Sequence, residues 1–312
     1  MVKCESSMTG EATGMETMHV LVTGGAGFIG SHSVDLLLAS GARVRVLDNF
    51  SSGRRENLVN HTQMEIITGD IRDKGTVDAA LAGITHALHL AANVSVVTSV
   101  EQPLTSAAVN LTGFLNVLEG ARQLGVHRMV YASSAAVYGV PVKLPVAPIS
   151  PYGLEKFIND QYAALYQELY DFSAMALSYF NVYGPRQDPS SPYSGVISIF
   201  GSRLRDGKPL TIYGDGQQTR DFIYVGDVAR ANIAALRGVV NGVCNVVAGH
   251  TVTLLDTLAT VAGVTPVVSH GEARTGDIRH SSAVNAKVRT VLKVDGLTSL
   301  REGMQQLWTA GV

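Results

Sequence analysis

The stretch "VTGGAGFIGSH", Val22–His32, follows a short β-branched run that starts at His19 and opens a helix-length segment closing on Gly41. It holds G-x-G-x-x-G at Gly25, Gly27 and Gly30, and an overlapping G-x-x-G-x-x-G at Gly24, Gly27 and Gly30. Glycines at these spacings let a tight turn bring backbone close to a pyrophosphate. The helix that follows offers that anion free N–H groups and a positive dipole end. A lone motif of this kind is weak. The strand before it and the helix after it make it a nucleotide-binding turn.

Outward from that turn, "RVRVLD" reads as a second strand and ends on Asp48, eighteen residues after Gly30. A carboxylate there binds the adenosine ribose hydroxyls and repels a 2′-phosphate, which favours NAD. Arg54 and Arg55 follow closely and argue the other way, for NADP, but Asp48 holds the discriminating position. The alternation continues with "MEIITGD", "THALHLAA" and "RMVYASS", separated by helical stretches such as one long helix over 104–124. Strands alternating with helices predict an α/β fold, a Rossmann-type doubly wound parallel sheet covered on both faces. Asp70, after the third strand, is either a helix N-cap or a group facing the adenine edge. Leu90, Ala91 and Ala92 end the fourth strand, where small residues leave room for a cofactor or pack tightly.

After about residue 180 the character changes, and "YGPRQDPSSPYSG" reads as an irregular connection. The expected organisation is a loose tail over 1–17 and an NAD-binding domain over 18–180, with a return of residues near 221–247. Residues 181–312 form a mainly substrate-binding, smaller C-terminal portion. The 312 residues are 46 % hydrophobic and 16 % charged, enough for a substantial core. A net charge of −2 gives no electrostatic reason to expect nucleic acid. Cys4 and Cys244 show neither paired nor metal-ligand spacing, which fits a reduced, cytoplasmic setting with no metal. No stretch reads as a membrane span or as a signal peptide.

The reactive end is carried by "SPYGLEK", Ser150–Lys156, which puts Tyr152 and Lys156 on one helix face. Ser133 and Ser134 end the preceding strand, at the edge where ligands of such sheets bind. Paired serines in a turn are usually caps; with Tyr152 eighteen residues on, they point to proton transfer beside a redox cofactor. A tyrosine of pKa about 10 is too weak a base at neutral pH. An ammonium one turn away, together with a positive nicotinamide, favours its phenolate.

"TGGAGFIGSH", "LDNFSSG", "GDIRD", "ASSAAVYG", "SPYGLEK", "YFNVYGPRQ", "GDGQQTRDFIYVGDVA" and "RTGDIRHS" occur in that order, from about Met18 to Trp308. In these motifs the chain resembles the extended short-chain dehydrogenase/reductase family, and within it the UDP-hexose 4-epimerases. The resemblance implies a tightly held NAD and a UDP-sugar epimerised at C4 by transient oxidation and re-reduction. It implies Tyr152 as the base for the 4-hydroxyl, Lys156 as holder of the nicotinamide ribose that depresses the Tyr152 pKa, and Ser134 as a hydrogen-bond partner of the sugar oxygen. It adds Phe28, Ile29, Asn49, Ser52, Gly53, Ile71, Asn110 and Ser133 to the cofactor side. On the substrate side it implies Asn181 and Val196, Arg220 and Arg274 for phosphate, and Asp277 for the uridine ribose. Arginine's planar fork suits phosphate and a carboxylate suits a diol. It further implies a homodimer built through the long helices.

Family neighbours are separated by single positions. Dehydratases carry an acid–base carboxylate pair just after the serine, and decarboxylases a Glu; here the place reads Ala135-Ala136. A uronate 4-epimerase shares the Ser and Tyr-x-x-x-Lys motifs and stays open as an alternative. Ser281 falls where relatives have a bulky Tyr or a small residue, and a small one leaves space for a 2-acetamido group. A non-catalytic NAD-binding regulator would have lost Tyr152 or Lys156, and both are present. The segment between Tyr138 and Tyr152 is shorter than the family pattern.

Overall fold

The computed structural model describes residues 17–139, 146–188, 195–253, 257, 267–272, 280–281, 283 and 285–309. Residues 1–16 of the expected tail, and Arg274 and Asp277, lie outside the described residues.

The first half alternates strand and helix. It runs β1 (His19–Thr23), α1 (Phe28–Ala39), β2 (Arg43–Asp48), β3 (Met64–Thr68), α2 (Lys74–Leu81) and β4 (His86–His89). Two short helices follow, α3 (Val96–Glu101) and α4 (Pro103–Ala107), then a π-helical turn over Ala108–Gly113 that leads into α5 (Phe114–Gln123). The unit closes with β5 (Arg128–Ser134), α6 (Pro151–Tyr170) and β6 (Ala174–Tyr179). The chain then passes through β7 (Asn181–Tyr183), α7 (Val196–Arg205), β8 (Leu210–Tyr213), β9 (Thr219–Arg220) and β10 (Phe222–Tyr224) to α8 (Val225–Arg237) and β11 (Gly242–Val246). Short pieces β12 (Val252–Thr253), β13 (Val268–Gly271), β14 (His280–Ser281), α9 (Ala286–Thr290) and α10 (Leu300–Thr309) complete it.

Seven strands form one sheet in the order β11-β6-β5-β4-β1-β2-β3, every neighbour parallel. Strand alternation sorts its side chains into two cores. Val20, Val22, Val44 and Val46 face α1 and α8, whose Val34, Leu37, Val228 and Ala231 are buried with them. Leu21, Leu47, Ala87 and Met129 face the other way, against Val77 and Leu81 of α2 and Phe114 and Leu118 of α5. Both faces are therefore covered, as near-continuous apolar strands require. The late strand β11 joins β6 at the sheet's edge, with Cys244 opposite Leu177.

The remaining strands make three small sheets, β10-β7, β12-β9-β14 and β13-β8. Their core is Tyr183, Ile197, Phe222, Met304 and Leu307, beside a second group of Phe200, Leu210 and Ile212. Among the described residues no helix is long and apolar enough to cross a membrane.

The expected single helix over 104–124 is in fact three pieces, because the π turn widens the backbone at Ala108–Gly113. Within this turn the Asn110 backbone carbonyl accepts from Asn159 Nδ2 of α6 at 3.0 Å.

Candidate active site

Strand order reverses between β1 and β4, and at such a reversal the loops leaving the carboxyl ends part to form a crevice. A cleft of about 1080 Å³ lies there and extends over the small sheets.

One end of the cleft is built by the glycine turn. Gly24, Gly27, Phe28, Ile29 and Gly30 line it. Gly24 takes φ +68°, and a Cβ on it would sit 2.7 Å from the Ala91 nitrogen. On Gly30 a Cβ would strike the Gly24 carbonyl oxygen. Any larger residue would push the turn and the loop after β4 apart. That loop is pinned from below: Thr23 Oγ1 lies 2.8 Å from His89 Nδ1 and accepts from Ala91 N at 3.2 Å. Burial drives the pKa of His89 down to about 3, so its ring is neutral.

Asp48 ends β2 in the cleft wall, oriented by two backbone donors, Ala26 N at 2.9 Å and Phe50 N at 2.8 Å. Asn49, Ser52 and Gly53 line the same corner. Arg54, which argued for a 2′-phosphate, is instead paired with Asp188 at 2.6 Å. Asp70 and Ile71 lie next along the wall. Asp70 is not the cap of α2, which is Asp73 accepting from Gly75 N. Its carboxylate is gripped by Arg72 Nε and Nη2 at 2.9 and 2.7 Å and by Asn49 Nδ2 at 2.9 Å, which hold its pKa well below the usual carboxylate range.

The reactive side chains gather where β5 and α6 meet. Ser150 caps α6 by accepting from Gly153 N, with Pro151 at its first turn, so Tyr152 sits at the helix mouth. The Tyr152 amide donates to Ser99 Oγ of α3 at 3.1 Å. Ser133, Ser134, Tyr152 and Lys156 all line the cleft, although Tyr152 is only 8 % and Lys156 2 % exposed. Lys156 Nζ donates to the Ala132 carbonyl at 3.0 Å and stands 5.9 Å from the centre of the Tyr152 ring. Burial lowers the lysine pKa to about 8, against the pull of Asp160 and Glu155. The expected depression of the Tyr152 pKa by Lys156 is not what the chain alone produces. Burial pushes it up, the hydrogen bond with Ser134 works the other way, and the Glu155 charge adds to the rise.

The far end of the cleft lies between the sheet and the small strands, where Asn181, Val196 and Arg220 line it. Asn181 Nδ2 donates to the carbonyl of Asp221, the residue after Arg220, so the two positions are tied. Ser281 is buried and pairs with Arg220 in the β14–β9 register, beside the cleft but not in its lining.

Asn110 departs from its expected place on the cofactor. It is buried behind the wall, donating from Nδ2 to Asn93 O at 2.9 Å and Glu155 Oε2 at 2.7 Å and accepting from Asn93 N at 2.9 Å. It acts on the cleft through Asn93, which does line it. Sequence reading also passed over Arg186 and Gln218. Both line the cleft, and each has a buried polar atom, Nη1 and Oε1, with no partner among the described residues. Their signal was available: each stands inside a motif already singled out, "YFNVYGPRQ" and "GDGQQTRDF".

Sheet order, glycine turn and the Ser–Tyr–Lys face together define an extended short-chain dehydrogenase/reductase. More particularly, residues 20–249 match the NAD dependent epimerase/dehydratase family, and the chain belongs to that family. It is 39 % identical over 307 residues to the UDP-glucose 4-epimerase of Mycolicibacterium smegmatis, covering 92 % of this chain and 96 % of the relative. Among solved structures it resembles the UDP-glucose 4-epimerase of Thermus thermophilus in complex with NAD, with TM-score 0.85, 40 % identity and coverage of 94 % and 98 % of the two chains. It also resembles the UDP-N-acetylglucosamine 4-epimerase of Methanobrevibacter ruminantium, in complex with UDP-N-acetylmuramic acid, with TM-score 0.87, 36 % identity and coverage of 94 % and 98 % of the two chains.

Proposed function

We propose that this chain is an NAD-dependent UDP-hexose 4-epimerase, an isomerase that interconverts UDP-galactose and UDP-glucose and also accepts their N-acetyl forms. The observation that carries the reading is the meeting of Ser134, Tyr152 and Lys156 in one cleft between a dinucleotide cradle and an Asn181–Arg220 end.

The cradle fits the cofactor. Gly24 and Gly30 keep the turn tight, since a Cβ on either would strike the backbone of Ala91 or of Gly24, and Arg186, paired with Asp35 through Nη2 at 2.8 Å, keeps Nη1 without a hydrogen bond among the described residues. Asp48, held by two amides, suits a free ribose diol, and Arg54 is committed to Asp188, which favours NAD over NADP. Bound NAD would supply the acceptor for the C4 hydride and the donor that returns it to the opposite face of the keto sugar, which inverts that carbon.

Tyr152 receives the proton of the 4-hydroxyl and gives it back, with Ser134 holding the same oxygen. Because burial raises its pKa, Tyr152 is protonated in the unliganded chain and needs added positive charge to act as a base. Lys156, fixed on Ala132 O, supplies part of that charge from one turn away. Asn181 and Arg220 face the diphosphate, and Gln218 Oε1 offers an acceptor to the base. Arg274 and Asp277 are assigned to phosphate and uridine ribose on their motif alone. Ser281 is assigned to the 2-acetamido group on its motif position, and it lies beside Arg220 and outside the cleft lining.

The molecule works as a homodimer in this reading. Val97, Val100 and Leu104 on α3 and α4 are exposed beside Leu154, Leu165 and Leu169 on α6, and Leu104 is 86 % exposed. A second copy is the partner that would cover such an apolar face.

The test is purified protein, without added NAD, given UDP-galactose, UDP-N-acetylgalactosamine and UDP-galacturonate separately. The expected result is conversion of the first two to their gluco forms, lost in Tyr152→Phe. Conversion of the galacturonate alone would move the assignment to the uronate alternative. Turnover of the plain hexose but not its N-acetyl form would refute the role given to Ser281.

A further inference from the structure

Tyr152, Lys156 and Asp160 are spaced four residues apart and share one face of α6, the face turned to β5 and β6. Asp160 is buried and does not line the cleft. Its Oδ2 accepts from the Ser133 hydroxyl at 2.9 Å, and Ser133 does line the cleft. Its Oδ1 is buried, and the buried Tyr131 hydroxyl is a further hydrogen-bonding neighbour of the carboxylate. A carboxylate in such a place costs stability unless a charge offsets it. The reading of the chain as an epimerase gives it no task.

We propose that Asp160 is a positioning residue of the catalytic centre: it clamps Ser133 at the end of β5 and is the counter-charge that keeps Lys156 an ammonium. The other groups facing this spot do not replace it. Tyr131 of β5 is buried and neutral, its pKa pushed well above the ordinary value by burial and by Asp160 itself. His89 of β4 is neutral, and the Tyr138 phenol after β5 is also raised. Glu155 is the other buried anion on α6, but its Oε2 already accepts from Ser106 and Asn110, each at 2.7 Å. Of the two carboxylates, Asp160 acts more strongly on Lys156. Burial raises the Asp160 pKa to about 6, opposed by Ser133, Tyr131 and Lys156, so it is ionised at neutral pH.

The sign of the effect follows. Removing the anion lowers the pH at which Lys156 loses its proton, and Tyr152 then loses its nearby cation. In Asp160→Asn the amide keeps the shape and an acceptor for Ser133, but the charge is gone. The alkaline limb of the turnover profile should move down by about one pH unit, so that kcat near pH 9 falls about tenfold while KM stays within about twofold. Asp160→Glu should restore the limb. Ser133→Ala, which cuts the clamp but leaves the charge, should leave its position unchanged. A folded Asp160→Asn with an unmoved limb would overturn the proposal.

The kinetic arm rests on the epimerase reading; a carboxyl titration needs no turnover and separates the two. Carbon-13 signals of the aspartate carboxyls, with Asp160 identified by its loss in Asp160→Glu, should show a group ionised near pH 7.5 whose midpoint rises by about one unit in Lys156→Met. A carboxyl protonated near that pH, or indifferent to Lys156→Met, overturns the proposal even if Asp160→Asn does not fold. A wild type that converts no sugar would refute the epimerase reading and leave this titration to decide on Asp160.

Discussion

Tyr152 can be a base only where its environment is changed during the reaction. Burial and the Glu155 charge, against the hydrogen bond with Ser134, leave its phenol protonated in the chain by itself. Tyr152→Phe removes the proton acceptor while keeping the ring, so kcat should fall by about 10²–10⁴-fold in a product assay, with the fold intact by circular dichroism. Asp48 makes a second prediction at this scale. Asp48→Ser should weaken NAD binding and narrow the preference over NADP by about tenfold, read by competition between the two cofactors. Unchanged discrimination would show that the end of β2 does not read the ribose. Both residues were found by spacing: Asp48 by its distance from Gly30, Tyr152 by its turn's separation from Lys156. What spacing did not reveal was who holds them. Nothing in "SPYGLEK" says that Ser99 takes the Tyr152 amide, because that contact joins positions 53 residues apart.

At the level of elements, the strands and glycine turn were readable because parallel, doubly covered strands are continuous apolar runs closed by punctuating residues. The π turn was not. "LTSAAVNLTGFLNVLEGARQL" has helical composition throughout, and the π turn falls where Asn110 makes its long-range contacts. There the Asn110 side chain joins the loop at Asn93 to the carboxylate of Glu155, while its backbone carbonyl accepts from Asn159. These contacts hold Asn110 behind the cleft wall, away from the expected place on the cofactor. Asn110→Ala should leave Glu155 and Asn93 underbonded and cost about 1–3 kcal/mol in denaturant unfolding. A loss below about 0.5 kcal/mol would mean the network is dispensable.

For the molecule as a whole, buried ionisable groups set the acid response. His86 and His89 are held neutral, with pKa values lowered by burial to about 4 and about 3 from 6.5. Below about pH 6.5 the unfolded chain takes up protons that the folded one refuses, so they remove stability as pH falls toward those values. Asp160 and Asp221 act oppositely: each is raised by burial to about 6 from 3.8, so acidification between these values stabilises the folded state. Below 3.8 that gain is exhausted, while His89 still loses and Glu119, held down to about 2 chiefly by Arg122, gives up its charge. Tm should therefore change little between about pH 6.5 and 4 and drop steeply below, and a steady decline from about pH 6.5 would contradict this balance. The apolar face across α3, α4 and α6 gives another expectation: the wild type sediments as a dimer, and Leu165→Glu with Leu169→Glu as a monomer. A monomeric wild type would leave that face without the partner assigned to it. The most direct test of the whole account follows one atom. UDP-galactose deuterated at C4 is incubated with the purified protein, without added cofactor, and the product is read by NMR. The expected result is UDP-glucose that keeps its deuterium at C4, with no conversion by Tyr152→Phe. Deuterium lost to water, or no conversion by folded protein even with NAD supplied, would contradict the account.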